Sequence, residues 1–326
     1  MLTHPLEPLT MEEIAQAVSI LRGDARIPEG ARLAHVVLFE PTKGDLDGFG
    51  TGASIERRAR IQVVPGPDAT VIETVVSLTS GGVESVVEVP EARPAMLFEE
   101  SLNAIIAVMG DPQWQEALRK RGITDLDRVQ IDPWPPGTWG HDFEKGRRLC
   151  RCICYLRDSP TDNGYAHPIE GLIAVVDMGR GEVIEIQDYG AVPIPSESGS
   201  YLPADVGELR QDLMPLEISQ PDGPSWRVEG NLIRWQRWSM RVTMDPHEGM
   251  VLHTVGYEDG DRVRPILYRA SVSEMVVPYG HPGPMHGWKN AFDAGEWGLG
   301  RMTQPLTLGC DCLGVIHYFD AVVANE

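Results

Sequence analysis

Residues 225–277 read SWRVEGNLIRWQRWSMRVTMDPHEGMVLHTVGYEDGDRVRPILYRASVSEMVV. Five runs rich in Trp, Val, Ile, Leu and Met stand out: Ser225–Glu229, Asn231–Trp235, Trp238–Met244, Met250–Tyr257 and Arg264–Val277. Turn residues such as Gly230, Gly249 and Gly260 separate several of them. Many strands at short, regular spacing with no helical period predict the start of a large β-sandwich. A further strand-like run, Gly314–Val323, precedes Glu326. Nothing after it reads as a closing element, so the sandwich is expected to be only begun.

Upstream the pattern changes. Thr10 and Glu13 have capping-box spacing, and Ile14, Ala17, Val18 and Leu21 form one apolar stripe, which predicts a helix. Strand-like runs follow at Ala34–Phe39, Arg58–Val64, Thr70–Leu78 and Val83–Val89, the last two joined by a turn holding Gly81 and Gly82. A joint at Pro90–Pro94 ends this unit, and the order then repeats. Helices are predicted at about Phe98–Met109 and at Pro112–Lys120, with Asp111 as N-cap and Pro112 at the first helical position. Strands are predicted near Val129 and at Leu149–Leu156, Gly171–Asp177 and Glu182–Asp188. Residues 190–225 are aperiodic and rich in Pro, Ser, Gly and Asp. The fold class is therefore α+β, with two small helix-plus-antiparallel-sheet domains at 1–92 and 93–203. A linker at 204–224 and the β region at 225–326 follow.

A length of 326 residues allows two domains of ~150 residues or three small ones. With 42% apolar residues the chain can bury a sizeable core. Lys and Arg number 28 against 48 Asp and Glu, a net charge of −20, which opposes binding to nucleic acid or an anionic membrane. No stretch approaches the ~20 apolar residues of a membrane span, and no secretory leader is legible. The cysteines lie in two clusters, Cys150/Cys152/Cys154 and Cys310/Cys312, unlike a small disulfide scaffold. Cytoplasmic location is the expectation.

Chemistry is sparsely signalled. His281 and His286 flank a Pro/Gly turn, HPGPMH, and are read as surface-loop histidines before metal ligands. Cys150, Cys152 and Cys154 alternate at period two and should share one buried strand face. Cys310 and Cys312 lie in the LGCDCLG turn, either as quiet thiols or cross-linked to something distant. Asp293 sits among Trp288, Phe292 and Trp297; apolar surroundings would favour its neutral form and suit a general base, while an ordinary turn-opening Asp is the simpler reading. Glu274 and Glu296 rank below it. No GxSxG, P-loop or GxGxxG occurs, so acyl transfer, nucleotide hydrolysis and Rossmann dinucleotide binding lack motif support.

Three segments taken together, RPILYRASVSEMVVPYG at Arg264–Gly280, FDAGE at Phe292–Glu296 and LTLGCDCLG at Leu306–Gly314, resemble the copper- and topaquinone-containing primary amine oxidases. Residues 146–177 and 218–226 resemble the second small domain and the linker of the same family, in its short bacterial form as in phenylethylamine or histamine oxidases. The resemblance implies that the β region begins the catalytic domain. It implies oxidative deamination of primary amines to aldehydes with release of ammonia and hydrogen peroxide. It also implies a role for Asp293 as the catalytic base. Ala291 falls where the family places a gate side chain, usually aromatic, and an Ala there suggests a wider channel mouth. Phe292, Ser101, Trp134 and Tyr165 match channel-lining positions, the last three with weaker surrounding identity.

The departure from the family pattern is large. The N-Y-(D/E)-Y segment that yields topaquinone and the HxH copper ligands are absent from the sequence. The resemblance thus implies that copper and topaquinone both belong to a C-terminal portion not in this sequence, with no metal ligands in this chain. Cys312 is then expected to form a disulfide to that portion. One reading is a divided enzyme: a second polypeptide carries the C-terminal catalytic half, the assembly forms a homodimer, and a small primary amine is the substrate. On that reading this chain alone is inactive. The other reading is a truncated non-catalytic fragment or a binding-only protein of the same fold.

Overall fold

The computed structural model describes residues 4–135 and 137–324. The outer ends of the first and last expected domains, 1–3 and 325–326, lie outside the described residues. The architecture is α+β, as the sequence predicts.

The first unit opens with α1 (Met11–Arg22), whose N-terminus is closed by reciprocal hydrogen bonds between Thr10 and Glu13. Strands β1 (Arg32–Leu38), β2 (Arg58–Val64), β3 (Thr70–Ser77) and β4 (Gly82–Pro90) pair antiparallel in sequence order. Ala17 and Leu21 of α1 pack on Leu33, Ile61, Val63 and Val76 of the sheet, so the helical stripe and one strand face close a single core. A short helix, α2 (Lys43–Gly50), joins β1 to β2 and was not expected. Its Gly-rich sequence has no apolar stripe; the Thr42–Asp45 capping box holds it.

The second unit has α3 (Phe98–Gly110) and α4 (Pro112–Lys120), the latter capped by Asp111 with Pro112 at its start. Strands β5 (Val129–Trp134), β6 (Leu149–Leu156), β7 (Leu172–Asp177) and β8 (Glu182–Asp188) again form an antiparallel meander. Cys150, Cys152 and Cys154 all face the helices, in one core with Trp114, Leu118, Ala104 and Val108. The opposite face of β6 and β7 is buried as well. There Ile153 and Ile173 meet Met285 and Trp288 from far along the chain, with Trp134 and Tyr155 beside them. A sheet covered on both sides explains why β7 is a continuous apolar run rather than an alternating one.

Residues 189–225 contain no helix or strand. Beyond them β9 (Trp226–Glu229), β10 (Leu232–Trp235), β11 (Trp238–Asp245), β12 (Gly249–Asp259) and β13 (Arg262–Ser271) form one five-stranded antiparallel sheet in the order β13-β12-β11-β10-β9. It is tied to the first unit by Arg241–Glu7 at 2.9 Å, Arg269–Glu40 at 2.9 Å and the Tyr268 hydroxyl donating to Pro41 O at 2.6 Å.

Two expectations here are corrected. The run Arg264–Val277 is not one strand: the chain leaves β13 after Ser271 and resumes as β14 (Val276–Pro278). Glu274 lies in that break, its carboxylate turned toward a different segment of chain. The run Gly314–Val323 forms no strand; apolar alternation alone does not make one without a neighbouring edge to pair with. Among the described residues no helix is long and apolar enough to cross a membrane.

Candidate active site

The site grows from a two-stranded ribbon. β14 pairs with β15 (Asn290–Phe292) through Val276–Phe292, Val277–Ala291 and Pro278–Asn290. Ala291 is thereby buried at the ribbon's centre, and Phe292 is half-buried. Asp293 N–H donates to Met275 O at 3.1 Å, extending the ribbon by one residue. The chain then makes a single π-helical turn, Asp293–Trp297, closed by Gly298 N–H on Asp293 O. Gly298 has φ 85°, and a Cβ there would stand 2.6 Å from Pro246 O, so both backbone sign and space require glycine. Asp293 is partly exposed at the head of this turn.

Two more carboxyl groups surround the turn. Glu274 accepts from Ala294 N at 2.8 Å and Gly295 N at 2.9 Å. Glu296 accepts from Phe292 N at 3.2 Å through one oxygen, while its Oε1 is buried without a hydrogen-bond partner. Burial pushes the Glu296 carboxyl up from 4.5 to about 7; the Phe292 amide opposes this, and the charges of Glu274 and Asp293 add to it. The group with the displaced proton affinity in this turn is thus one the sequence ranked low. Its environment is assembled from distant chain: Met96 N–H donates to Glu296 O at 2.9 Å, and Arg301 donates to Met96 O at 3.0 Å.

At the other end of the ribbon is an aromatic wall. Trp134 Nε1–H donates to Asn290 O at 3.1 Å, which locks β5 to β15 across 156 residues of sequence. Trp134 meets Tyr279 and Trp288 edge-to-face, with centroids 5.4 and 6.2 Å apart. The Lys289 ammonium lies 5.5 Å from the Trp134 ring and 6.0 Å from those of Tyr279 and Trp288, a cation held by ring faces. Burial lowers its proton affinity, and Glu170 partly offsets this. Arg151 covers Trp288 at 5.1 Å.

Of the residues singled out from sequence, Trp134, Ala291, Phe292 and Asp293 fall on or against one ribbon. Tyr165 is 64% exposed and joins the wall only indirectly, edge-to-face with Tyr155 at 5.0 Å. Ser101 is in the first turn of α3, and among the described residues no hydrogen bond or ring contact links its side chain to the wall. Cys312 is a free, half-buried thiol in a tight turn, its Sγ 3.8 Å from Thr307 O, and Cys310 is free and exposed. His281 and His286 are edge-to-face at 5.4 Å; His281 Nδ1 accepts from Gly283 N, and His286 Nε2 lies 3.0 Å from Glu170.

Three family models match consecutive stretches of the chain: an AGAO-like N2 domain at 10–86, a copper amine oxidase N3 domain at 100–201, and the copper amine oxidase enzyme domain at 227–326. The chain belongs to the copper amine oxidase family. Among copper amine oxidases it is 46% identical over 319 residues to a primary amine oxidase of an Arthrobacter species, covering 98% of this chain and 49% of the relative. It is 42% identical to the histamine oxidase of Arthrobacter globiformis, covering 99% of this chain and 47% of that protein. A solved copper-containing benzylamine oxidase from Hansenula polymorpha superposes with a TM-score of 0.84 at 27% identity, over 99% of this chain and 53% of that one. The chain spans about half the length of the curated relatives it matches.

Copper amine oxidases imply copper and topaquinone. Among the described residues no group of three or more His, Cys, Asp or Glu side chains is placed to hold a metal ion. No tyrosine of the sequence stands in an N-Y-(D/E)-Y segment. The residues present therefore fit neither group.

Proposed function

We propose that this chain is the base-bearing, channel-lining part of a primary amine oxidase. The overall reaction converts a primary amine, O2 and water to an aldehyde, ammonia and hydrogen peroxide. Asp293 takes the proton from the carbon next to the amine nitrogen: the C–H bond breaks, an O–H bond forms on the carboxyl, and the electron pair left on carbon passes to an oxidant supplied from outside these residues. Trp134, Ala291 and Phe292 line the approach of the amine, with Ser101 and Tyr165 further out. Ala291 leaves the approach wide.

The observation that carries this reading is the β14–β15 ribbon, which ends in a π-turn presenting Asp293 in a chain of this family. Copper and topaquinone belong, on this proposal, to a second polypeptide equivalent to the rest of the relatives' length, and two such assemblies form a dimer. Support comes from β13, an outer strand of its sheet with Val263 60%, Ile266 40% and Leu267 47% exposed. An unpaired apolar edge of this kind favours coverage by further protein. Cys312 is available for a disulfide to that polypeptide.

The test is to purify the oxidase from its native source. A second band on a denaturing gel, bound copper, a colour bleached by phenylhydrazine and amine-dependent peroxide release are expected. A single colourless, copper-free band without peroxide release overturns the proposal.

A further inference from the structure

We propose that Glu274 is a positioning residue for Asp293, its carboxylate clamping the peptide segment from which the base projects. The inference rests on the reading of Asp293 as the base.

Four successive backbone amides of this segment are held, the first by the turn's own Glu296 and the other three from outside the turn. Phe292 N–H is taken by Glu296 Oε2, Asp293 N–H by Met275 O, Ala294 N–H by Glu274 Oε1 and Gly295 N–H by Glu274 Oε2. Glu274 supplies two of the four, both from a charged acceptor and both under 3.0 Å, the short distances expected of charge-assisted bonds. Its own position is set by Met275 N–H, which donates back to Glu274 Oε1 at 3.0 Å. The clamp therefore fixes the backbone on the C-terminal side of Asp293, and the ribbon fixes it on the other. A five-residue π-turn has few internal hydrogen bonds, so these external ones decide where the Asp293 Cα–Cβ bond points.

The same approach shows in the space around Gly295. A Cβ on Gly295 would stand 2.9 Å from Glu274 Oε2, and Gly295 does not have the positive φ that would otherwise explain a glycine. A side chain at Gly295 would therefore push the flexible Glu274 carboxylate aside. The break that separates β13 from β14 also finds its reason here, since it turns Glu274 toward the turn.

Two variants of the complete oxidase test this, with Asp293→Asn beside them. In Glu274→Gln the amide keeps one acceptor and sets an N–H against a backbone N–H. In Gly295→Ala the added methyl displaces the flexible carboxylate and leaves its charge unchanged. Both should lower kcat by about 100-fold, the effect of a base misplaced by about 1 Å, with KM within twofold. Both should raise the isotope effect for an α-deuterated amine, because proton removal becomes more fully rate-limiting. In the 326-residue chain both should speed amide exchange at Ala294 and Gly295 by at least tenfold while leaving β12 unchanged.

Released amides with a wild-type rate and isotope effect would overturn the inference. So would an activity loss that merely tracks loss of folded protein at an unchanged isotope effect, since that marks Glu274 as structural only. Normal turnover by Asp293→Asn would instead overturn the reading of the base, and the role of Glu274 with it.

Discussion

Glu100 is fully buried in the first turn of α3 and holds three groups at once. Arg148 of β6 donates to both its oxygens at 2.5 and 2.7 Å, Arg32 of β1 donates at 2.8 Å, and Leu97 N–H at 3.1 Å. The carboxylate thus joins the first sheet, the second sheet and the helix that follows Met96. Arg148 is 1% exposed, and burial lowers its proton affinity while Glu100 opposes that. Glu100→Ala leaves a buried guanidinium without its counter-charge, a loss of about 3–5 kcal/mol. The lost cap at Leu97 adds at most about 1 kcal/mol. At an m-value of about 2 kcal/mol per molar urea, a net loss of about 4 kcal/mol moves the unfolding midpoint down by about 2 M. Glu100→Leu combined with Arg148→Met should recover most of this, because the fully buried guanidinium goes with its partner and the Arg32 side chain left over is 25% exposed and reaches solvent. The check is urea unfolding of the three proteins side by side, followed by circular dichroism. A midpoint shift under 0.5 M for Glu100→Ala, a loss of about 1 kcal/mol, would refute the reasoning.

Glu296→Gln should alter how stability depends on pH. The folded-state carboxyl titrates at about 7 against 4.5 when free, so its contribution is complete below 4.5 and is lost as pH rises through 7. Allowing for partial exposure, the loss is about 2 kcal/mol, and the variant should melt several degrees higher than wild type at pH 8.5 and equally at pH 4.5. Equal melting at both pH values would contradict the burial of that group. Gly298→Ala should destabilise by about 1–3 kcal/mol, since φ 85° and the 2.6 Å approach to Pro246 O both oppose a side chain; an unchanged midpoint in urea would show that the turn relaxes freely.

Much of the fold is legible because its signals are local. The Thr10–Glu13 box, the Asp111–Pro112 start and the two-residue period of Cys150, Cys152 and Cys154 each report on a few neighbouring residues, and each is realised. Helix α2 escaped because three glycines weaken its propensity, and only the Thr42–Asp45 spacing announced it. The break before β14 and the fate of Gly314–Val323 depend on what lies alongside, which apolar alternation does not encode. At the site, the turn opened by Asp293 is legible in the sequence, yet the β14–β15 ribbon and the standing of Glu296 are not. Its raised proton affinity depends on burial completed by Met96 and Arg301, brought together across 205 residues. The Trp134 wall likewise depends on a hydrogen bond spanning 156 residues.

The most direct measurement compares Asp293→Asn with wild type in the complete oxidase, turning over 2-phenylethylamine and its α-deuterated form with peroxide release as the readout. Loss of the base should slow turnover by about 100-fold or more, while phenylhydrazine still reacts with the protein. Turnover within a few-fold of wild type, with an unchanged isotope effect, would contradict the assignment of Asp293 as the proton acceptor.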